Sequence, residues 1–301
     1  MGFRTLEISQ AAEIHIKDGQ LEVTTEEGSV LISIEDLSQI MVHGANIRLS
    51  TMDLSILSQN KVAVMTLDEK YLPTAIVLPF EGHARQSKLM HAQVHTTHEK
   101  YLDLWVQIIR QKISNQSRVL SIMGTDGAEE VAKYALSIHE ENVDYHESLA
   151  AKEYFTFYHE GLNRRTDDPI NSRLNYGYAV VRSAIARKLV ATGFHPTFGI
   201  HHDSQLNPFN LADDLIEPFR AMVDLVAHEN IGSNVLLSKQ ERRALAHVLH
   251  NACIVDGTKV NIITAIDIMV ESLKRIILDN SDEELKLPTV IPIESMEGIT
   301  E

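Results

Sequence analysis

The chain has 301 residues, of which 44% are hydrophobic and 23% charged. This length and apolar share are enough to fill at least one hydrophobic core, so a disordered chain is excluded. The single cysteine, Cys253, excludes an internal disulfide and a cysteine-rich zinc site, and no secretory signal opens the sequence, so we expect a protein of the reducing cytoplasm. No apolar stretch approaches the roughly 20 residues that cross a bilayer, and we therefore expect no membrane segment.

The net charge of −15 is unfavourable for a protein that binds nucleic acid, because phosphate attracts a cationic surface. Part of the negative charge is concentrated in residues 279–301. Any attraction for phosphate therefore has to come from local basic clusters. These clusters all lie in the second half of the chain: Asn163-Arg164-Arg165, Arg173, Arg182, Arg187-Lys188 and Arg242-Arg243.

Short alternating apolar runs occupy the first 80 or so residues. Residues 13–17 and 20–23 are separated by Asp18-Gly19, which is a strong signal for a β-hairpin. Ser50 is a suitable cap for a short helix that follows. Further strand-like runs occur at residues 30–32, 39–42, 47–49 and 62–65. The pattern predicts a small, mainly β N-terminal domain over residues 1–82.

From about residue 83 the apolar spacing becomes helical. Leu102, Trp105 and Ile109 recur at intervals of three or four residues, and Ser238 followed by Glu241 forms the capping box of a later helix. We therefore predict a larger all-α domain over residues 83–285 with almost no strand, which makes the overall fold class α+β. Prolines among acidic residues predict a mobile, acidic tail over residues 286–301.

The first candidate functional segment runs from Glu147 to Phe155. On a helix, Glu147 shares one side with Ala150, Ala151 and Tyr154, and such small residues let another helix approach closely. A carboxylate on that inward side needs a partner. The alternative is a surface glutamate at the rim of the core.

The second segment is a loop that Gly193, Pro196 and Gly199 interrupt before two adjacent histidines, His201 and His202. Adjacent side chains do not point the same way in a regular element. One histidine therefore suits a ligand role while the other packs or contacts phosphate. The alternative is a pair of ordinary loop histidines.

In the third segment, Asp213 and Asp214 stand one helical turn before Glu217, so their carboxylates crowd one face. Like charges at this spacing repel each other unless a cation lies between them. Pro218 cannot donate a backbone hydrogen bond to the carbonyl of Asp214, which predicts a bend beside the site. The alternative is an acidic first turn that complements the helix dipole, and it explains Glu217 poorly.

Two carboxylates and one imidazole are suitable ligands for Mg²⁺ or Mn²⁺ with open positions left for water and phosphate. Such an ion polarises a phosphoryl oxygen and lowers the pKa of an attacking hydroxyl. The protein then needs no covalent nucleophile. These ligands and the ion that they would hold are suitable for a phosphodiester transfer reaction.

At these three segments the chain resembles the CRISPR-associated endonuclease and integrase of the adaptation module, the Cas-one family, and more narrowly its type II representatives. Glu147 with the alanine pair and Tyr154-Phe155 is similar to the first family motif. Gly199-Ile200-His201-His202 resembles the second, with Ile200 where the family has Phe. The stretch from Asp214 to Arg220 is similar to the third.

The resemblance implies an N-terminal β domain that pairs two copies and a helical catalytic, metal-binding domain. It implies Glu147, His202 and Glu217 as the catalytic residues and as the ligands of Mg²⁺ or Mn²⁺. Asp214 is then a residue that supports a ligand or occasionally ligates. The remaining candidates are DNA contacts, namely Arg164, Arg165, Arg173 and Tyr176, although Tyr176 could equally be a core aromatic.

The resemblance also implies the reaction and the partners. The 3′-hydroxyl ends of a short foreign DNA are joined to the CRISPR repeat array by transesterification, with hydrolysis as a side activity. The partners are DNA, a second copy of the chain, and a small second adaptation protein that bridges two dimers. The type II effector nuclease is a further candidate partner. Two alternatives stay open, a metal-dependent nuclease that only hydrolyses DNA, as in repair, and a catalytically silent DNA-binding scaffold.

Overall fold

The computed structural model describes residues 4–68, 73–79, 86–164, 166–229, 232 and 234–293. A strand-rich N-terminal region is followed by a mostly helical region. The α+β fold class expected from the sequence is therefore confirmed. The expected boundary between residues 82 and 83 lies outside the described residues and stays a prediction.

The N-terminal region forms two four-stranded sheets. Its elements are β1 (Arg4–Ile8), β2 (Ala12–Lys17), β3 (Gln20–Thr25), β4 (Gly28–Ser33), β5 (Leu37–Val42), β6 (Ile47–Leu49), α1 (Thr51–Gln59), β7 (Ala63–Leu67) and β8 (Pro73–Val77). One sheet has the strand order β4-β3-β2-β6 and the other has the order β1-β5-β7-β8. In the second sheet β1, β5 and β7 are parallel, and β8 is antiparallel to β7.

Local signals in the sequence explain two of these elements. Asp18 and Gly19 both have positive φ, at 53° and 75°, and connect the antiparallel strands β2 and β3 as predicted. The Ser50 side chain accepts a hydrogen bond from the backbone of Asp53 and caps α1. Oδ1 of Asp53 also accepts a 2.9 Å hydrogen bond from the backbone of Ile16, which fixes α1 against β2.

The central strands β5 and β7 of the second sheet are buried on both faces, which explains their continuous apolar runs. Ile40 and Val64 point to a core shared with the first sheet. Their neighbours Met41 and Met65 point the other way, into the core of the helical region. Because successive side chains point to opposite faces, this sheet contributes to the cores of both regions.

The helical region contains α2 (Gln86–His95), α3 (His98–Met123), α4 (Ala128–Ser137), α5 (Val143–Tyr158), α6 (Pro169–Thr192), α7 (Asn210–Leu215), α8 (Glu217–Glu229), α9 (Lys239–His247) and α10 (Ile262–Leu278). Helix α6 is buried along most of its length and is the central element. Asp168 caps its start, Pro169 follows, and Gly193 ends it with a φ of 104°. The predicted capping box of Ser238 and Glu241 opens α9.

A small three-stranded sheet corrects the prediction of almost no strand after residue 83. It has the order β10-β9-β11 and consists of β9 (Ala252–Val255), β10 (Thr258–Asn261) and β11 (Thr289–Val290). Asp256 and Gly257, with φ of 49° and 73°, form the turn between β9 and β10. They repeat the signal recognised at Asp18-Gly19, but the strands that they join have only four residues each.

The same sheet corrects the expected tail for residues 286–293. Val290 pairs with Cys253 and is buried, and its backbone N–H donates a 3.1 Å hydrogen bond to Oδ1 of Asn115 in α3. Asn115 also donates to the carbonyl of Pro288. This part of the chain is therefore packed against the helices. The rest of the expected tail, residues 294–301, lies outside the described residues.

Among the helices of the described ranges, none is both long enough and apolar enough to cross a lipid bilayer.

Candidate metal centre

The side chains of Glu147 and Glu217 converge on one amino group. Glu147 lies in the second turn of α5 and Glu217 is the first residue of α8. Nζ of Lys112, on α3, is 2.5 Å from Oε1 of Glu147 and 2.6 Å from Oε2 of Glu217. Three helices therefore bring two carboxylates to a single cationic group.

A break in the chain positions Glu217. Helix α7 ends at Leu215, and α8 begins two residues later. Pro218 has no N–H for the Asp214 carbonyl, and the helix is interrupted at Ile216, where the sequence predicted a bend. Glu217 consequently lies in the first turn of α8, where the helix dipole favours a carboxylate.

Glu217 is ionised in a buried position. It is only 5% exposed, and Arg220 Nε donates a 2.9 Å hydrogen bond to its Oε1. Burial acts to raise the pKa of Glu217, but Arg220 and Lys112 outweigh this effect and lower the pKa to about 2. The carboxylate therefore holds its charge throughout the physiological range.

The second oxygen of Glu217 faces Lys112. Oε2 is buried, and the Lys112 amino group lies 2.6 Å away. Burial acts to lower the pKa of Lys112, but attraction to Glu217 and Glu147 raises it on balance. Lys112 is therefore held as a charged ammonium between the two carboxylates.

Asp214 fixes the loop that carries His202. Asp214 has no exposed surface, and its carboxylate accepts hydrogen bonds from the backbone of Ile200 at 2.5 Å and of His201 and His202 at 3.1 Å. A Cβ on Gly199 would lie 2.7 Å from Oδ2 of Asp214 and 2.2 Å from the His202 carbonyl oxygen. The loop therefore closes around this carboxylate only with glycine at position 199.

The same carboxylate orients the imidazole of His202. Nδ1 of His202 lies 2.5 Å from Oδ1 of Asp214, which holds the proton on Nδ1 and leaves Nε2 as the nitrogen that can ligate. The hydrogen bond to Asp214 is the main cause that raises the pKa of His202. Glu217 lies near enough to add to the shift. The supporting role predicted for Asp214 fits this geometry.

The ring of His201 has a packing role, whereas His202 is the candidate metal ligand. The ring of His201 stacks on Trp105 with 4.3 Å between centroids and 3° between planes. Oδ1 of Asp144 accepts a 3.2 Å hydrogen bond from Trp105 Nε1 and lies 3.4 Å from Nε2 of His201. Trp105 and Asp144 thus form a wall of the site that the sequence reading missed.

Gln93 anchors the other end of the histidine loop. This buried side chain donates to the carbonyls of His195 and Phe198 at 3.0 and 2.7 Å, and it accepts from the backbone of His195. Helix α2 therefore holds the loop in place. A lone glutamine 102 residues away in sequence gives no local signal for this contact.

The donor set fits a divalent cation, although the full ligand set is not yet gathered. In the described ranges, no three His, Cys, Asp or Glu side chains are already arranged to hold a metal ion. Glu147 and Glu217 meet around Lys112, and His202 lies in electrostatic range of Glu217. Two carboxylates and an oriented imidazole match the ligands that Mg²⁺ and Mn²⁺ accept. The assignment of the three ligands stays a prediction.

Of the expected DNA contacts, Arg164 is half-buried and already bound. Its guanidinium donates to Oδ1 of Asn171 at 2.5 Å and of Asn175 at 3.1 Å, and it lies over the ring of Phe155. Any contact with phosphate has to use its remaining edge. Arg165 lies outside the described residues, so its predicted role is untested.

Arg173 and Tyr176 are corrections to the sequence interpretation. Arg173 is fully buried, forms an ion pair with Glu241, and donates to the carbonyls of Pro169 and Asn234 at 2.7 Å. It has no surface with which to reach DNA. Tyr176 is buried beside Met41 at the junction with the second sheet, so it is a core aromatic.

Most of the basic clusters expected to attract phosphate are also used inside the protein. The buried members are Arg173, Arg187, Lys188 and Arg242. Arg182, which is partly exposed, is paired with Asp213. Buried cations need partners, and the acidic residues of this chain provide them. The sequence clusters therefore do not correspond to one cationic surface.

Replacing Arg173 with lysine is expected to lower stability and leave DNA affinity unchanged. Lysine cannot make the several directed hydrogen bonds of the guanidinium, and their loss should cost about 2 kcal/mol of unfolding free energy. Thermal unfolding and DNA binding well below the melting temperature measure the two effects. Weaker DNA binding with unchanged melting would restore Arg173 as a DNA contact.

A buried acid lies one turn beyond Arg220 in α8. Tyr154 donates a 2.8 Å hydrogen bond to Oδ2 of Asp224, and Tyr178 donates to its Oδ1. Burial raises the pKa of Asp224 to about 6, against the two tyrosine hydrogen bonds, which act to lower it. The ring of Tyr178 also supports Arg220, whose guanidinium lies 4.6 Å from its centroid.

This raised pKa predicts a stability that falls as pH rises. The folded value lies above the ordinary value of 3.8, so the contribution of Asp224 is complete below about pH 4 and is lost as pH rises through 6. We expect the wild type to lose on the order of 2 to 3 kcal/mol relative to Asp224→Asn across that window. Denaturant unfolding of both proteins from pH 4 to 7 measures the difference. Parallel curves would contradict the prediction.

Comparison with known sequences gives a consistent family. The model of the family described as CRISPR associated protein Cas1 matches residues 7–253. The chain is 32% identical over 298 residues to the CRISPR-associated endonuclease Cas1 of Neisseria meningitidis serogroup C (strain 8013), a match covering 97% of this chain and 98% of that protein. It is 28% identical over 257 residues to a CRISPR-associated endonuclease Cas1 of Pyrobaculum aerophilum, covering 79% and 87%.

Solved structures share the fold. A casposase bound to integration product superimposes with a TM-score of 0.77 at 18% identity, covering 94% of this chain and 92% of that chain. A Cas1 protein from Thermotoga maritima gives 0.74 at 15% identity, covering 91% and 97%. A chain of a Cas6-RT-Cas1–Cas2 complex gives 0.74 at 17% identity, covering 94% of this chain and 36% of that longer one.

Proposed function

The chain belongs to the CRISPR-associated Cas1 family, and on that premise we propose that it is the metal-dependent DNA integrase of a type II-like CRISPR adaptation module. In this proposal it joins the 3′-hydroxyl ends of a short foreign DNA to the repeat array by transesterification. Glu147, His202 and Glu217 hold Mg²⁺ or Mn²⁺ and are the catalytic residues.

One observation carries the proposal. Two glutamates from different helices meet at one positive charge, and a histidine that leaves its Nε2 available to ligate lies in electrostatic range of Glu217. A purely structural ion pair does not require Asp214, buried and bound to three backbone N–H groups, to orient that histidine as well. Supports of this kind are typical of metal-binding histidines.

A bound divalent ion supplies Lewis acidity toward a phosphodiester and toward an attacking hydroxyl. The protein's own groups do the remaining work. Arg220 keeps Glu217 ionised and in place, and Asp214 keeps His202 in the ligating tautomer. No side chain of the site is needed as a covalent nucleophile, because the DNA 3′-hydroxyl attacks phosphorus and the target strand leaves as a 3′-hydroxyl.

The proposed partners are DNA, a second copy of this chain paired through the N-terminal domain, and the small second adaptation protein, with the type II effector nuclease as a further candidate. Support comes from what related proteins are found with. One structural neighbour is bound to an integration product and another belongs to a complex with Cas2. The Neisseria relative is named as an endonuclease, which fits hydrolysis as a side activity.

A strand-transfer assay tests the proposal. Labelled donor DNA with free 3′-hydroxyl ends is mixed with a leader-repeat target, the protein, the bridging partner, and Mg²⁺ or Mn²⁺. We expect covalent donor–target product that disappears when the donor ends are 3′-deoxy or when the ion is chelated. Cleavage of DNA without joining would favour the hydrolytic nuclease. Binding without any chemistry would favour the DNA-binding scaffold.

A further inference from the structure

We propose that Lys112 is a displaceable internal cation of this centre, which holds Glu147 and Glu217 together before a metal ion binds and must leave for it to bind. Lys112 is then a positioning residue that sets the affinity for the divalent ion. This inference rests on the proposed function, because it assumes that the two glutamates are metal ligands.

The first step of the argument is the overlap of positions. Nζ of Lys112 lies 2.5 and 2.6 Å from one oxygen of each glutamate. A Mg²⁺ ligated by the same oxygens would lie about 2.1 Å from each of them. Two cations cannot occupy nearly the same point between two carboxylates, so the amino group and the ion exclude each other.

The second step is a contrast with Arg220, the other cation on Glu217. Arg220 binds Oε1 of Glu217, whereas Lys112 faces Oε2. The guanidinium of Arg220 is also fixed 4.6 Å from the ring centroid of Tyr178. Arg220 can therefore stay in place when Oε2 turns to a metal ion, and Lys112 cannot.

The third step is that Lys112 is able to move. Its amino group is a point charge at the end of a flexible four-carbon chain, and it is held by its contacts with the side chains of Glu147 and Glu217. The site is open on the side of Glu147 and His202, whose side chains are 26% and 46% exposed. A swing toward that opening releases both carboxylates without a change in the helices.

The consequence is an apparent affinity below the intrinsic one. An internal competitor lowers the fraction of molecules that are ready to bind, and the apparent Kd rises in inverse proportion to that fraction. If Lys112 occupies the carboxylates in nine molecules of ten, its removal should lower the Kd for the metal about tenfold.

Calorimetric titration of the full-length protein with Mn²⁺ alone, at fixed pH, tests the proposal. Lys112→Met removes the charge with little change in length, and Lys112→Gln keeps a polar group in case the first variant folds poorly. We expect both to bind Mn²⁺ about tenfold more tightly than the wild type. Both should melt at a lower temperature without metal and gain more from added Mn²⁺.

Lys188→Met is the matched control. Lys188 is also buried beside two carboxylates, at 3.1 Å from Glu271 and 3.5 Å from Asp267, but on α6 and α10. This variant should melt earlier and leave the Mn²⁺ affinity unchanged. Equal or weaker Mn²⁺ binding by both Lys112 variants would overturn the proposal for Lys112. Absence of Mn²⁺ binding by the wild type would instead overturn the metal centre of the proposed function.

Discussion

Replacement of Glu217 with glutamine is expected to reduce metal-dependent strand transfer at least a thousandfold, which corresponds to about 4 kcal/mol of barrier. The amide keeps the size of the side chain but loses the charge that a divalent ion requires. Glu217 is also the most enclosed of the three proposed ligands, and Arg220 forms an ion pair with it. The rate of donor joining in Mn²⁺ measures the effect.

Glu271→Gln provides the control for this experiment. Glu271 is another carboxylate that contacts a buried lysine, but it lies on α10, away from the candidate centre. It should join donor DNA at the wild-type rate. Dimerisation and thermal stability of Glu217→Gln should be checked in parallel. Wild-type joining by a folded Glu217→Gln protein would remove Glu217 from the site.

Replacement of Asp214 with asparagine is expected to have the second largest effect. Metal affinity should fall about a hundredfold, and the rate of strand transfer should fall with it. The Asp214 carboxylate accepts three backbone hydrogen bonds and holds Nδ1 of His202. An amide has one acceptor oxygen and places an N–H against donors. Both the loop and the imidazole tautomer should therefore be lost. Titration with Mn²⁺ measures the affinity directly.

The neighbouring variant Asp213→Asn separates this effect from a general loss of negative charge. Asp213 is paired with Arg182 and Asn207, whereas Asp214 binds the backbone of residues 200–202 and the ring of His202. We expect it to keep metal affinity within a few-fold of the wild type. A loss at position 213 as large as that at position 214 would mean that Asp214 acts only through its charge.

The elements that the sequence predicted correctly have local causes. The hairpin at Asp18-Gly19 and the capped helices after Ser50 and Ser238 depend on residues within one turn of each other. The interruption of the helix before Pro218 also has a local cause, because it requires one missing N–H. The fold class followed from the change of apolar period, which local sequence also carries.

The features that the sequence did not predict depend on distant partners. Arg173 is 68 residues from Glu241, and the pair is buried only because α6 and α9 meet. Strand β11 forms because Val290 reaches Cys253 and Asn115. When such a partner is not known, the sequence predicts that a basic residue or a proline-rich segment is exposed.

Lys112 is the most instructive omission. It lies seven residues after Trp105 on the buried face of α3, which carries apolar side chains together with Asn115 and Gln116. A charge on a buried face indicates a buried partner, and the sequence had placed the carboxylate of Glu147 on an inward side in the same way. Joining the two glutamates to Lys112 required the crossing of α3, α5 and α8, which periodicity alone does not give.

A structure of the protein with bound Mn²⁺, located by its anomalous scattering, tests the account most directly. We predict one ion about 2.1 Å from an oxygen of Glu147, an oxygen of Glu217 and Nε2 of His202. Nζ of Lys112 should have moved away from both carboxylates. An ion held elsewhere, or two glutamates still bound to Lys112 at saturating Mn²⁺, would contradict the account.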